Sequence, residues 1–285
     1  MKALNFASAY NPRHAVPSLV PDPRSLVPCS LLLAPCSLLT SDLNFALLIE
    51  SMTIFALADT HLSFGCDKPM NIFKGWDDYV SRLENNWRSL VSPEDVVVIP
   101  GDISWAMTTE EATEDFRFLN SLPGTKIIGK GNHDYWWQTM NKLNKFLSEN
   151  NFDTIKFLFN NAYRFGDISV CGSRGWFFDA EGADSEQNKK VIDREAGRLR
   201  RSIEEGISLG GTPVVFMHYP VSFDGKTCEP IMDVLKEYNI KRCYFGHIHG
   251  DRSGRFADYE VDGIRFSLVS ADALEFMPKK VIVKA

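Results

Sequence analysis

Five short stretches of this 285-residue chain share one form, an apolar run that stops at side chains able to donate to a metal ion. They are Asp59-Thr60-His61, Gly101-Asp102, Gly131-Asn132-His133-Asp134, His218-Tyr219 and Gly246-His247-Ile248-His249. The third is the densest, with an amide, an imidazole and a carboxylate in consecutive positions behind a glycine. A strand end followed by a glycine-permitted turn projects such side chains off the scaffold into shared space. Of the 6 histidines, only His14 lies outside these stretches. Taken singly, each His or Asp reads as well or better as a satisfied structural residue. Together, Asp59, His61, Asp102, Asn132, His133, His218, His247 and His249 are imidazole, carboxylate and amide donors without thiolates, a set that suits Zn, Fe, Mn or a similar ion. A carboxylate can bridge two ions, and a pair about 3.5–4 Å apart clamps a phosphoryl group and lowers the pKa of bound water towards about 7.

The intervening sequence has to bring these strand ends together. From Met52 onward, strand and helix patterns alternate. The continuous apolar run at 54–58 reads as a strand covered on both faces, and 96–99, 126–128, 214–217 and 243–245 read as further strands. Trp76, Tyr79, Leu83, Trp87 and Leu90 are spaced by three and four, which predicts an amphipathic helix over 72–91. Thr109 with Glu110-Glu111 opens a second helix through Ala112, Phe116 and Leu119, and Trp137, Met140, Leu143 and Leu147 mark a third. The stretches 154–159, 163–166 and 168–172 follow so closely that they read as antiparallel strands. A charged helix is predicted over about 185–207 and another over 230–238. Phe256–Val261 and Ile264–Val269 flank Asp262-Gly263 as a hairpin, and Val281-Ile282-Val283 would close a sheet. Alternating β and α followed by β-rich pieces predicts two packed sheets with helices outside, in one domain over 52–285.

The ordered motifs Asp59-x-His61, Gly101-Asp102, Gly131-Asn132-His133-Asp134, His218 and Gly246-His247-x-His249 resemble those of the calcineurin-like metallophosphoesterase superfamily. The resemblance runs from about Met52 to the end of the chain and implies an α/β fold, a four-layer α/β/β/α sandwich of two mixed sheets, with two divalent metal ions. Carried over position by position, it implies that Asp59, His61 and His249 hold one ion and Asn132, His218 and His247 the other, with Asp102 bridging. It further implies that a metal-bridging hydroxide attacks phosphorus in line while His133 assists the leaving oxygen. Asp134, beside it, is expected to orient that imidazole, as carboxylates commonly do. The chain departs from the family where many members carry a further acidic residue or histidine after the Gly-Asp motif, since Ile103-Ser104-Trp105 stands there.

The expected substrate is a small phosphomonoester or phosphodiester. A nuclease acting on DNA or RNA and a non-catalytic scaffold of the same fold are the alternatives. The net charge of -6 argues against a surface that coats nucleic acid, without excluding a local basic groove. Arg174, in Gly172-Ser-Arg-Gly175, and Arg252 with Arg255, just past His249, are candidate phosphate contacts. Trp136-Trp137 reads first as core and second as a stacking surface at the site. The Lys and Arg residues of 185–207 alternate with Glu, which reads as a solvated face. Gly225-Lys226-Thr227 resembles the end of a nucleotide-binding P-loop, but Pro220 occupies the required upstream glycine position.

The 6 cysteines form no C-x-x-C pair, and with no long apolar run the expected location is cytoplasmic, away from the membrane. Residues 1–51 differ from the rest, with Pro21, Pro28 and Pro35 recurring in the near-copies 24–30 and 31–37. Proline in each repeat forbids a continuous helix. The expectation is a repeat tract outside the working protein, which would then start at Met52; a disordered tail and a targeting segment are the other readings.

Overall fold

The computed structural model describes residues 52–176, 186–250 and 254–281. Residues 1–51, the subject of the repeat-tract reading, and Arg252 lie outside this set, as do Ile282 and Val283 of the expected closing strand.

One sheet contains β1 (Ile54–Ala56), β2 (Val96–Pro100), β3 (Thr125–Gly129) and β4 (Ile155–Phe157) in parallel. The second has an antiparallel outer strand β5 (Tyr163–Phe165) beside β6 (Ile168–Ser173), and then β7 (Thr212–Met217). It continues through β10 (Arg242–Phe245), reached after the small hairpin β8 (Ser222–Phe223) and β9 (Lys226–Thr227). It ends in the hairpin of β11 (Tyr259–Val261) and β12 (Ile264–Leu268). The last strand, β13 (Lys279–Lys280), returns antiparallel to β1, so the orders are β13-β1-β2-β3-β4 and β11-β12-β10-β7-β6-β5.

Side-chain alternation builds the layers, because successive strand residues point to opposite faces. In β2, Val96 and Val98 face the second sheet while Val97 and Ile99 face helices. In β7, Val214 and Phe216 meet the first sheet while Val215 and Met217 turn outward. Helices α1 (Tyr79–Leu90), α2 (Thr113–Ser121) and α3 (Met140–Glu149) cover the first sheet with Leu83, Trp87, Phe116, Leu119 and Leu143. Helices α4 (Glu186–Ser208) and α5 (Glu229–Glu237) cover the second with Leu199, Ile203, Ile231 and Leu235. The result is the expected four-layer α/β/β/α sandwich.

Three local expectations differ. The helix predicted over 72–91 starts only at Tyr79, because Gly75 (φ 92°) and Asp78 (φ 50°) are left-handed and no helix runs through them. Trp76 keeps its helical spacing to the core from within that turn. Strand β4 pairs parallel with β3 in the first sheet, so of the three closely spaced stretches only β5 and β6 are antiparallel partners. Helix α2 likewise begins at Thr113, after a turn in which the Thr108 hydroxyl accepts the Glu111 amide.

Gly225, in the rejected P-loop resemblance, sits with φ 78° in the β8–β9 turn. The charged face of α4 is laced by pairs such as Lys190–Glu186 and, across to α5, Arg200–Glu237. Among the described residues no helix is long and apolar enough to cross a membrane, and Cys66, Cys171, Cys228 and Cys243 are unpaired.

Candidate metal centre

Every stretch singled out for chemistry lies at the C-terminal end of a parallel strand, where open α/β sheets place their ligands. Asp59 and His61 follow β1, Asp102 follows β2, and Asn132 and His133 follow β3. His218 follows β7, and His247 and His249 follow β10. Both sheets therefore contribute donors to one place.

The backbone is strained to do so. Asp59 (φ 58°), His61 (φ 42°), Asp102 (φ 53°) and His247 (φ 71°) are all left-handed, a conformation that costs a non-glycine residue about 1–3 kcal/mol. Glycine would relieve that strain, so the side chains at these positions are kept against a backbone cost. Gly131 is required for a different reason: a Cβ there would lie 2.0 Å from Asp102 Oδ1 and 2.3 Å from the Asp102 nitrogen. The third motif can approach the second only without a side chain at that point.

Donor atoms converge in two overlapping groups, Asp59 with His61 and His249, and Asp59 with Asp102 and His218; within each group they lie within 4.8 Å of one another. Asp59 is common to both groups, and Asp102 Oδ2 is 3.8 Å from His61 Nε2 and 3.5 Å from His218 Nε2. Asn132 Oδ1 meets His218 Nε2 at 2.6 Å and His247 Nδ1 at 2.9 Å. His61 Nε2 and His249 Nε2 face one another at 3.2 Å. The seven residues expected to hold metal are thus all brought together.

The electrostatics fit a cation. Burial pushes the Asp59 and Asp102 carboxyls up, and the neighbouring charges of Asp59 and Asp134 push Asp102 further. Burial also holds His61 and His218 well below the usual imidazole range, and His247 at about 4. Neutral imidazoles are the ligating form. His218 Nδ1 lies 3.2 Å from the Pro100 carbonyl, to which a neutral ring can donate, leaving Nε2 with a lone pair towards Asn132 Oδ1 and Asp102 Oδ2. Acceptors facing acceptors in a buried place is an arrangement that a divalent ion resolves. His249 differs in direction: burial lowers its pKa, but Asp272 and Asp59 outweigh that and hold it above the usual imidazole range.

His133 sits beside the cluster. Its amide donates to Asp102 Oδ1 at 2.8 Å, and its ring lies 4.4 Å from Trp105 and 5.7 Å from His61. Its Nδ1 is buried without a hydrogen-bond partner, and burial lowers its pKa. Asp134 does not orient this ring. Its Oδ2 accepts the amides of Asp102 (2.9 Å) and Gly131 (2.7 Å), and its Oδ1 accepts the Ile103 amide (2.9 Å) and Trp136 Nε1 (3.1 Å). Its chemistry is that of a buried tie between two motif loops, which corrects the catalytic role expected for it.

The carboxylate that does orient an imidazole is Asp272, which accepts from His249 Nδ1 at 2.9 Å and from the Gly250 amide at 2.8 Å. It stands four residues past the end of β12, behind Ser270-Ala271, so no apolar run leads directly to it in the sequence. Trp136 is fully buried, in keeping with its first reading as core, and the indoles at the site are Trp105, which stacks on His61 at 4.8 Å and 22°, and Trp76, 5.9 Å from His249. With Met70, Phe73, Lys74 and His133 they line a cavity of about 400 Å³ that opens onto the cluster. Arg174 stands at the end of β6, near enough to His218 for its charge to lower that pKa, and not in this cavity.

The sequence profile of the calcineurin-like phosphoesterases matches residues 52–251, and the chain belongs to that family. It is therefore a metal-dependent phosphoesterase. No curated protein matches it in sequence. Among solved structures it is similar to a protein from Thermus thermophilus with a TM-score of 0.50 at 10% identity, covering 82% of this chain and 100% of that one. A phosphopantetheinyl hydrolase from Mycobacterium tuberculosis gives 0.48 at 17% identity over 82% and 97% of the two chains. A protein of unknown function from Aquifex aeolicus gives 0.45 at 18% identity over 80% and 95%.

Proposed function

We propose that the protein is a dinuclear-metal phosphohydrolase that cleaves a small phosphomonoester or phosphodiester. In this reading Asp59, His61 and His249 would hold one ion and Asn132, His218 and His247 the other, with Asp102 available to both. The observation that carries it is the position of Asp102 Oδ2, between His61 Nε2 and His218 Nε2. Mn, Fe or Zn ions held there would supply positive charge to phosphoryl oxygens and lower the pKa of water. The protein's own part is orientation and proton handling. Asp272 fixes the ring of His249, and the Pro100 carbonyl fixes that of His218.

His133, which lines the cavity, donates a proton to the departing oxygen. Burial alone disfavours its charged form, and an anionic phosphoryl group beside it reverses that preference. Trp105 and Trp76 exclude water and offer a flat apolar wall to the leaving group. A cavity of about 400 Å³ suits a small ester better than a nucleic-acid strand. The unpaired cysteines among the described residues support a reducing, cytoplasmic location, and we read residues 52–285 as the working unit.

The test uses the full chain stripped of metal and reloaded with Mn²⁺, given an aryl phosphomonoester and an aryl phosphodiester. Metal-dependent turnover of either, absent from Asp102→Asn, is expected. Equal turnover in that variant would remove the proposed centre.

A further inference from the structure

A second cavity, of about 480 Å³, lies beyond the metal centre and contains none of its donors. It is lined by Lys130, Arg174 and Arg198 together with Trp137, Phe159 and the start of α3 at Thr139 and Met140. Arg198 is paired with the buried Glu195 at 2.5 Å. Lys130 and Arg174 are half-buried, and among the described residues neither has a carboxylate at ion-pair distance. Arg174 Nε is buried with no hydrogen-bond partner, while its guanidinium lies over Trp176 at 5.0 Å. Two partly desolvated cations facing one cavity repel each other unless an anion joins them. The first turn of α3 adds backbone N–H groups and the positive end of a 10-residue helix, and Thr139 makes no side-chain cap bond.

This cavity borders the reaction site. Lys130 is two residues from Asn132 in the chain, and the Arg174 carbonyl accepts the amide of Tyr219, next to His218. The Tyr219 ring lies 4.4 Å from that of His247. The anion it would take is tetrahedral and multiply charged, as suits a guanidinium fork, an ammonium and helix amides acting together.

We propose that Lys130, Arg174 and the N-terminal end of α3 form a phosphate subsite, and that the ester hydrolysed at the metal centre carries a second phosphate that docks there. The second half of this proposal rests on the phosphohydrolase reading; the first does not.

The experiment has two arms. In the first, inorganic phosphate is titrated calorimetrically into metal-free full-length protein, where the metal centre has no ions to bind it. Wild type is expected to take one phosphate per chain. Arg174→Gln and Lys130→Gln, checked for native circular dichroism, should each weaken it by about ten- to a hundredfold, as expected for a lost charge-assisted bond. No binding to wild type, or binding unmoved in both variants, overturns the subsite; if neither variant folds, the wild-type stoichiometry decides. In the second arm, Mn²⁺-loaded enzyme is given an aryl phosphate and the same aryl phosphate bearing a second phosphate. A lower KM for the bisphosphate that Arg174→Gln abolishes is expected. Phosphate binding with equal KM values overturns the substrate half and leaves an independent anion site. Phosphate binding with no turnover of either ester places the failure in the phosphohydrolase reading, and the substrate half falls with it.

Discussion

Asp102 and His133 touch each other, since the His133 amide donates to the carboxylate of Asp102, yet their proposed roles separate cleanly in mutants. Asp102→Asn alters the carboxylate that lies between His61 and His218, and both metals are expected to bind more weakly, read as metal content after dialysis. His133→Ala should keep its metals and lose roughly 10²–10⁴-fold in turnover, as for removal of a general acid. Unchanged turnover with full metal content would remove that role. Asp272→Ala leaves His249 without its orienting partner and should cost roughly 10–100-fold in metal affinity. Asp102 and His133 are legible in the sequence because each follows an apolar run beside a glycine or another donor. The same rule misleads at Asp134: it is adjacent to His133 in the chain, but a strand end sends consecutive side chains in different directions. Its carboxylate turns inward to four backbone amides and an indole.

At the scale of elements, the site is a set of loops held against each other, and Asp134 is their fastening. Asp134→Ala would leave the buried amides of Gly131, Asp102 and Ile103 without acceptors, at about 1–3 kcal/mol each. The expected loss is several-fold that of a surface substitution, read as a lower denaturation midpoint, and a midpoint equal to wild type would contradict this account. Strands are readable from apolar continuity, and the two-sided covering of β2 and β7 follows from it. Helix starts are less so. Spacing by three and four places Trp76 with Tyr79 and Leu83 on one apolar face, but it carries no information on the left-handed backbone at Gly75 and Asp78. Pairing of β4 with β3 is equally hidden, because a short connection does not reveal which sheet a strand joins.

Across the whole molecule, the donors are divided between sheets, Asp59, His61, Asp102 and Asn132 from the first and His218, His247 and His249 from the second. Metal binding should therefore tie the layers together and raise thermal stability, by about 2.7 kcal/mol at a hundredfold excess over Kd. Stability should also respond to acid through Asp115, which accepts the Phe64 amide and the Ser104 hydroxyl in the core. Burial raises its pKa from 3.8 to about 6, so the folded state holds a proton that the unfolded chain has released. That contribution is complete below about pH 4 and is lost as the pH rises to about 6. Asp115→Asn should flatten denaturation midpoints across this window; an unchanged profile would place the effect elsewhere.

The proposal that two ions act together is tested most directly by titrating metal-free enzyme with Mn²⁺ while following hydrolysis of an aryl phosphate. Activity should rise to a break at two equivalents per chain, with no activity from Asp102→Asn at the same loading. A break at one equivalent, or turnover independent of added metal, would contradict a dinuclear centre built on Asp102.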